Sequence, residues 1–176
     1  MDKEFGIACI LEKTSTDEII KYIPFLEKNN YPHISLFQFR CDDKKFLSSI
    51  KEYLKKVLVS KEFLTGDISL VEENVFLNIV DDSTLKYASD QLAEFYSENC
   101  YCKEPLSQIN FTELNSEQTE LVNKYGIYWV KQNFHPHITL SYNRQTSGIF
   151  NVPSPLSLKV RMLDLYPIDT LGRINI

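Results

Sequence analysis

Two segments of the chain share one pattern of proline, histidine, isoleucine, a hydroxyl residue and leucine: residues 32–36, PHISL, and residues 136–140, PHITL. The chain contains three histidines, and two of them, His33 and His137, lie in this frame. An unperturbed imidazole titrates at about pH 6.5, so one neutral and one protonated ring can coexist near neutral pH and act as the base and the acid of one reaction. The hydroxyls of Ser35 and Thr139 are neutral donors that suit phosphate oxygens. The repeated pattern therefore predicts acid–base chemistry at a phosphate group.

Each segment is expected to form a strand, because proline disfavours helix in the residue before it and apolar and polar residues alternate after it. Side chains two residues apart share one face of a strand. His33 and Ser35 would point one way, and so would His137 and Thr139, while the isoleucines and leucines face a core. Two such strands side by side would bring two imidazoles and two hydroxyls to one place.

The rest of the sequence predicts the elements that position these strands. Apolar spacing predicts helices over about 15–26, 42–58, 82–96 and 116–125, and alternation predicts strands over about 5–11, 31–39, 64–71, 75–80, 136–142 and 156–162. The runs 64–71 and 75–80 indicate a hairpin, 145–148 a turn and 173–176 a last short strand. Strands outnumber crossover helices, so the predicted class is α+β with mostly antiparallel sheet.

Local signals refine the helix ends and the longest loop. Ser15 and Glu18 have the spacing of a capping box, Pro24 predicts a kink or an early end, and Asp42 or Asp43 can cap the second helix. Gly126 is expected to end the last helix. The irregular composition of residues 99–114 indicates a long loop that could contribute to binding.

Length and charge limit the classes of function. A chain of 176 residues is expected to form one domain over 1–176, and its formal net charge of −5 without a basic run argues against binding long nucleic acid. With no signal segment and no apolar stretch of membrane-spanning length, we expect a cytoplasmic protein without a membrane partner. Four cysteines without a tight framework indicate free thiols, and neither a structural metal nor a cofactor is expected.

The paired motifs on strands, in a chain of this length and element order, resemble the 2H phosphoesterase superfamily, which includes the 2′-5′ RNA ligase-like proteins and the 2′,3′-cyclic nucleotide phosphodiesterases. The resemblance implies two pseudo-symmetric lobes of antiparallel sheet with outer helices and a central cleft that carries the motif strands. It also implies that His33 and His137 are the catalytic imidazoles and that Ser35 and Thr139 bind the phosphate.

The activity implied by the resemblance is a metal-independent phosphodiesterase that hydrolyses 2′,3′-cyclic phosphates or 2′-5′-linked small nucleotides or RNA ends. By analogy with the family, His137 would activate water as the base and His33 would protonate the leaving oxygen, and the opposite assignment stays open. The ligase direction of the same chemistry stays open as well. The expected partner is a small nucleotide, a short oligonucleotide or an RNA terminus, bound by a monomer.

Further residues near the motifs, and two other classes of function, are compatible with the same pattern. On a straight strand Phe37 shares the histidine face and could stack on a nucleobase, whereas Arg40 and Arg144 would leave that face and are predicted to be surface charges. A non-catalytic module that binds nucleotides or RNA ends would keep the same pocket. A metal-dependent hydrolase would use His33, His135 and His137 as ligands.

Overall fold

The computed structural model describes residues 3–22, 31–71, 74–80, 83–101, 103–141 and 152–169. Within these residues lie six strands and four α-helices. In chain order they are β1 (Lys3–Leu11), α1 (Lys13–Ile20), β2 (His33–Cys41), α2 (Lys44–Leu54), β3 (Glu62–Val71), β4 (Asn74–Val80), α3 (Ser83–Asn99), α4 (Ser116–Tyr125), β5 (His137–Ser141) and β6 (Ser157–Pro167). This mixture of helices and antiparallel strands confirms the predicted class at that level.

The strands form one closed barrel in the order β1-β2-β5-β4-β3-β6, with β6 pairing back to β1. Every neighbouring pair in the barrel is antiparallel. The predicted hairpin is present as β3 and β4, which pair from Val71 opposite Asn74. The two motif strands, β2 and β5, are neighbours although more than half of the chain separates them.

Helix α3 covers the outside of the barrel at β2. The hydroxyl of Ser89 donates to the carbonyl of Leu36 at 2.8 Å, and the hydroxyl of Tyr96 donates to the carbonyl of Arg40 at 3.2 Å. Both bonds join the helix to the strand at polar groups. The apolar core consists of buried side chains of the strands packed on buried side chains of the helices, such as Phe39 of β2 on Phe46 of α2. The opposite face of each strand therefore lines the inside of the barrel.

Helix caps explain two of the boundaries. The side chain of Asp43 accepts a hydrogen bond from the Lys45 amide at 2.7 Å, as predicted for the start of α2. Helix α4 begins with a capping box between Asn115 and Gln118 and ends at Gly126, whose φ of 78° is left-handed. The predicted end of α2 is wrong: the helix ends at Leu54, and Leu58 is 82% exposed instead of buried.

The predicted capping box at Ser15 is also wrong. The N-cap of α1 is Glu12, and Ser15 lies inside the first turn of the helix. Its buried hydroxyl accepts a hydrogen bond from the Lys159 amide of β6 at 2.8 Å. Ser15 therefore makes a tertiary contact between α1 and β6, and it does not cap the helix as the local sequence pattern predicted.

Some predictions fall outside the described residues. These are the effect of Pro24, the end of the second motif strand at Tyr142, the position of Arg144, the turn at 145–148 and the last strand at 173–176. Among the helices that are described, none combines the length and the apolar character needed to cross a membrane.

Candidate active site

The antiparallel pairing of β2 with β5 brings the two motifs together. Ile34 lies opposite Ile138, and both side chains are completely buried on the helix side. Continuing this register by one residue in each direction puts His33 opposite Thr139, and Ser35 opposite His137. Because side chains alternate along a strand, all four point to the inner face of the barrel. Diagonal neighbours in such a ladder lie about 7–8 Å apart, a gap in which one phosphate fits between two imidazoles.

Both histidine rings are oriented in the same way. Nδ1 of His33 lies 2.7 Å from the carbonyl oxygen of Tyr31, and Nδ1 of His137 lies 2.7 Å from the carbonyl oxygen of His135. A carbonyl only accepts, so each Nδ1 carries a proton and donates it. In each frame the acceptor is the residue before the proline. The bond fixes the tautomer and leaves each Nε2 as the nitrogen that can take or give a proton.

Burial sets the charge of these rings. His33 is 7% exposed, and this burial lowers its pKa below the ordinary 6.5. The hydrogen bond to the Tyr31 carbonyl raises the pKa and so opposes the effect of burial. The positive charge of a protonated His137 lowers the pKa further. Burial also lowers the pKa of His137, the His135 carbonyl opposes the shift, and the charge of His135 adds to it. Both rings therefore favour the neutral form at neutral pH, and the mutual repulsion disfavours protonating both.

Ser35 and Thr139 are half-buried on the same inner face as the histidines. Each hydroxyl is opposite the histidine of the other strand, so the arrangement has one imidazole and one hydroxyl at each end. Hydroxyl donors placed in this way can hold the non-bridging oxygens of a phosphate while charge moves onto them.

The predicted role of Phe37 is wrong, because a β-bulge interrupts the alternation in β2. Ile7 of β1 lies opposite Phe37 and Ala8 lies opposite Ser35, so Leu36 is an extra residue in the ladder. The bulge turns Phe37 to the helix side, where it is 1% exposed and packs against Phe39 with ring centroids 5.8 Å apart. A ring buried in this way has no face for a nucleobase.

The same bulge reverses the prediction for Arg40. After Leu36 the alternation puts Gln38 and Arg40 on the inner face, which is the face of His33. Arg40 forms an ion pair with Glu104 at 3.3 Å, and the two residues also form an isolated bridge between their backbones. Part of the long loop is therefore attached to the histidine side of β2.

Two residues of β4 belong to the site and were not among the predicted site residues. Phe76 lies opposite Thr139, and Asn78 lies opposite His137. The ring centroid of Phe76 is 3.9 Å from that of His137, and the planes are inclined by 31°. The hydroxyl of Ser69 donates to Oδ1 of Asn78 at 3.1 Å. The buried alternation of Val75, Leu77 and Ile79 already implied that 76 and 78 face the other way, but the pairing of β4 with β5 is not readable from the sequence.

The residues that the structure describes around the two histidines do not provide the set of ligands that a metal ion needs. Across the described ranges, His, Cys, Asp and Glu side chains form no cluster of three or more that could hold a metal ion. His135, the third ligand of the metal alternative, is exposed at the surface, and its carbonyl orients His137.

The comparisons with known proteins do not identify a family. No family model matches the sequence, and no curated protein matches it.

Proposed function

We propose that this chain is a metal-independent phosphodiesterase of the 2H phosphoesterase type, acting on 2′,3′-cyclic phosphates or 2′-5′-linked small nucleotides or RNA ends. The observation that carries the proposal is the pairing of β2 with β5 at Ile34 and Ile138, which puts both motif histidines and both hydroxyls on one face. The matched Nδ1 bonds to carbonyls support it further, because they leave two equivalent Nε2 atoms for proton transfer.

The order of the strands supports the two-lobed, pseudo-symmetric architecture of that superfamily. Exchanging β1 with β4, β2 with β5, and β6 with β3 leaves every neighbour relation of the barrel unchanged. The exchange also matches the unit β1-α1-β2 with the unit β4-α3-α4-β5, each ending in a motif strand. In this proposal the pseudo-twofold axis passes between His33 and His137, and the inside of the barrel is the cleft between the lobes.

The proposed reaction uses each histidine once. A water oxygen attacks phosphorus and loses its proton to Nε2 of His137, while the P–O bond to the leaving oxygen breaks and that oxygen takes a proton from Nε2 of His33. Each such transfer contributes about 10²–10⁴ to the rate. Ser35 and Thr139 hold the non-bridging oxygens. In the ligase direction a 5′-hydroxyl takes the place of water: its oxygen attacks the phosphorus of a 2′,3′-cyclic phosphate and loses its proton to one histidine, while the P–O bond to the 3′-oxygen breaks and that oxygen takes a proton from the other histidine.

The surroundings of the histidines support a small substrate. Three apolar side chains on the inner face of neighbouring strands, Leu64, Val80 and Met162, remain 46%, 49% and 40% exposed. Uncharged, half-exposed surface beside a phosphate site suits a nucleobase better than further phosphates. The net charge of −5 points the same way.

The test is turnover of adenosine and guanosine 2′,3′-cyclic phosphates and of a 2′-5′-linked dinucleotide, followed by chromatography with and without a chelator. We expect hydrolysis that a chelator does not reduce and that His33→Ala and His137→Ala both remove. Binding without any change of the nucleotide over hours would instead identify a binding module. Loss of activity in the chelator would identify a metal-dependent hydrolase.

A further inference from the structure

The two ends of the site share their motifs but differ in what lies beside each motif strand. On the His137 side, β4 places Phe76 opposite Thr139 and Asn78 opposite His137. At the equivalent positions on the other side, β1 places Ala8 opposite Ser35 and Ile10 opposite His33. An aromatic ring beside one histidine therefore corresponds to a methyl group beside the other.

This difference matters because the two rings are covered in different ways. His33 is buried by the barrel around it, whereas His137 is only half-buried. The ring of Phe76 lies against the imidazole of His137 at a centroid distance of 3.9 Å and an inclination of 31°. Aromatic rings in contact attract each other beyond the effect of the area that they bury.

We propose that Phe76 is a positioning residue for His137, which holds the plane of the imidazole and keeps water from its face. This inference rests on the proposed function, because it assigns Phe76 a part in the proton transfer at Nε2 of His137. The hydrogen bond from Nδ1 to the His135 carbonyl oxygen fixes one edge of the imidazole. The ring can still rotate about this one bond, and Phe76 restrains that rotation. A ring that is held in place and neutral is ready to accept the proton of the attacking water.

The charges around His137 make this effect measurable. The described titratable groups that face it are His33 on β2 and His135 in the segment before β5. Strand β4 presents Phe76 and Asn78, which carry no charge. Removing the Phe76 ring therefore changes the burial of His137 without removing a charge, and the pKa of His137 should move back toward its ordinary value of 6.5.

The first experiment is an NMR titration, which needs no substrate. The chain has three histidines, so the imidazole signals can be assigned with His33→Gln and His135→Gln. In Phe76→Ala we expect the pKa of His137 to rise toward its ordinary value of 6.5, while that of His33 changes less. Phe76→Leu should keep most of the lowering, because leucine still covers the ring. If alanine prevents folding, Phe76→Thr, with a β-branched side chain that suits a strand, gives the same comparison.

Phe111→Ala is the matched control. It removes the same side chain from a 3-10 turn outside the barrel, at a residue that is also partly exposed, and should leave the pKa values of His33 and His137 unchanged. Equal pKa values for His137 in the wild type and in Phe76→Ala would overturn the inference.

Kinetics supply the second readout. We expect Phe76→Ala to lower kcat about tenfold to a hundredfold with a smaller change in KM, because a misplaced base affects the chemical step more than binding. The limb of the pH profile that belongs to His137 should move to higher pH in parallel with the NMR value. A wild type that hydrolyses none of the nucleotides would reject the proposed function, whereas the NMR comparison would still decide whether Phe76 controls His137. If the wild type is active and the folded Phe76→Ala variant keeps its full kcat, the inference about Phe76 is overturned while the proposed function stands.

Discussion

At the scale of single residues, the proposed mechanism uses the two imidazoles of His33 and His137 in one step. We expect His33→Ala and His137→Ala each to lower kcat/KM by at least about a hundredfold, and the double variant to be scarcely worse than either one, because groups that act as a unit are not additive. Steady-state kinetics of the three variants with a cyclic nucleotide measure this. Losses that multiply in the double variant would contradict a shared proton-transfer step.

The lowered pKa values lead to a prediction for the pH profile. Since burial lowers the pKa of both His33 and His137 from 6.5, the profile of kcat/KM should be bell-shaped with its maximum at or below about pH 6.5. A bound phosphate anion favours the protonated rings, so the maximum of kcat should lie at higher pH than that of kcat/KM. Rates measured between about pH 4.5 and 8.5 test both statements. A flat profile across this range would exclude a mechanism with two histidines.

At the scale of elements, the end of α4 provides a stability test. Gly126 has a left-handed φ of 78°, and a Cβ there would lie 3.0 Å from the carbonyl oxygen of Glu104. Gly126→Ala should lower the free energy of unfolding by about 1–2 kcal/mol. Gly126→Asn is the matched control and should lose less, because asparagine tolerates this conformation better. Urea unfolding measures the difference, and equal stability of all three proteins would contradict the strain argument.

Several features of the helices and strands could be predicted from the sequence. Three signals that act within a few residues were confirmed: the hairpin of β3 and β4, the cap at Asp43 and the end of α4 at Gly126. The side-chain directions of His33 and Ser35 depend only on alternation within a short strand, and the pairing of β2 with β5 puts them on one face. These predictions needed no knowledge of the partner strand.

Features that depend on partners from distant parts of the chain were missed. The bulge at Leu36 is a change in the register between β1 and β2, and it places Phe37 in the core. The Ser15 hydroxyl accepts a hydrogen bond from the Lys159 amide and does not cap its own helix. Phe76 lies at the site because β4 pairs with β5. A single sequence does not state which strands become neighbours, so these consequences could not be read from it.

At the scale of the whole molecule, the net charge of −5 predicts how binding depends on salt. Each phosphate neutralised by a lysine or arginine adds about 0.7–0.9 to the slope of log affinity against log salt concentration. With the substrate held at one or two phosphates, we expect a slope of magnitude about 2 or less. Binding of a cyclic nucleotide, a trinucleotide and a long single strand across a salt series measures it. A steep slope, or affinity that keeps rising with length, would reveal a basic track assembled from distant residues.

The closed order of the strands also determines when the candidate site can form during synthesis of the chain. Strand β2 is made early, but its neighbour β5 and the closing strand β6 are among the last described elements to leave the ribosome. Until then β1 and β2 lack partners on both outer sides, and unpaired strand edges invite association with other chains. Contacts between such distant segments also slow folding. We infer that nascent chains lacking β5 and β6 do not yet form the candidate site and expose unpaired strand edges until both strands have joined the barrel.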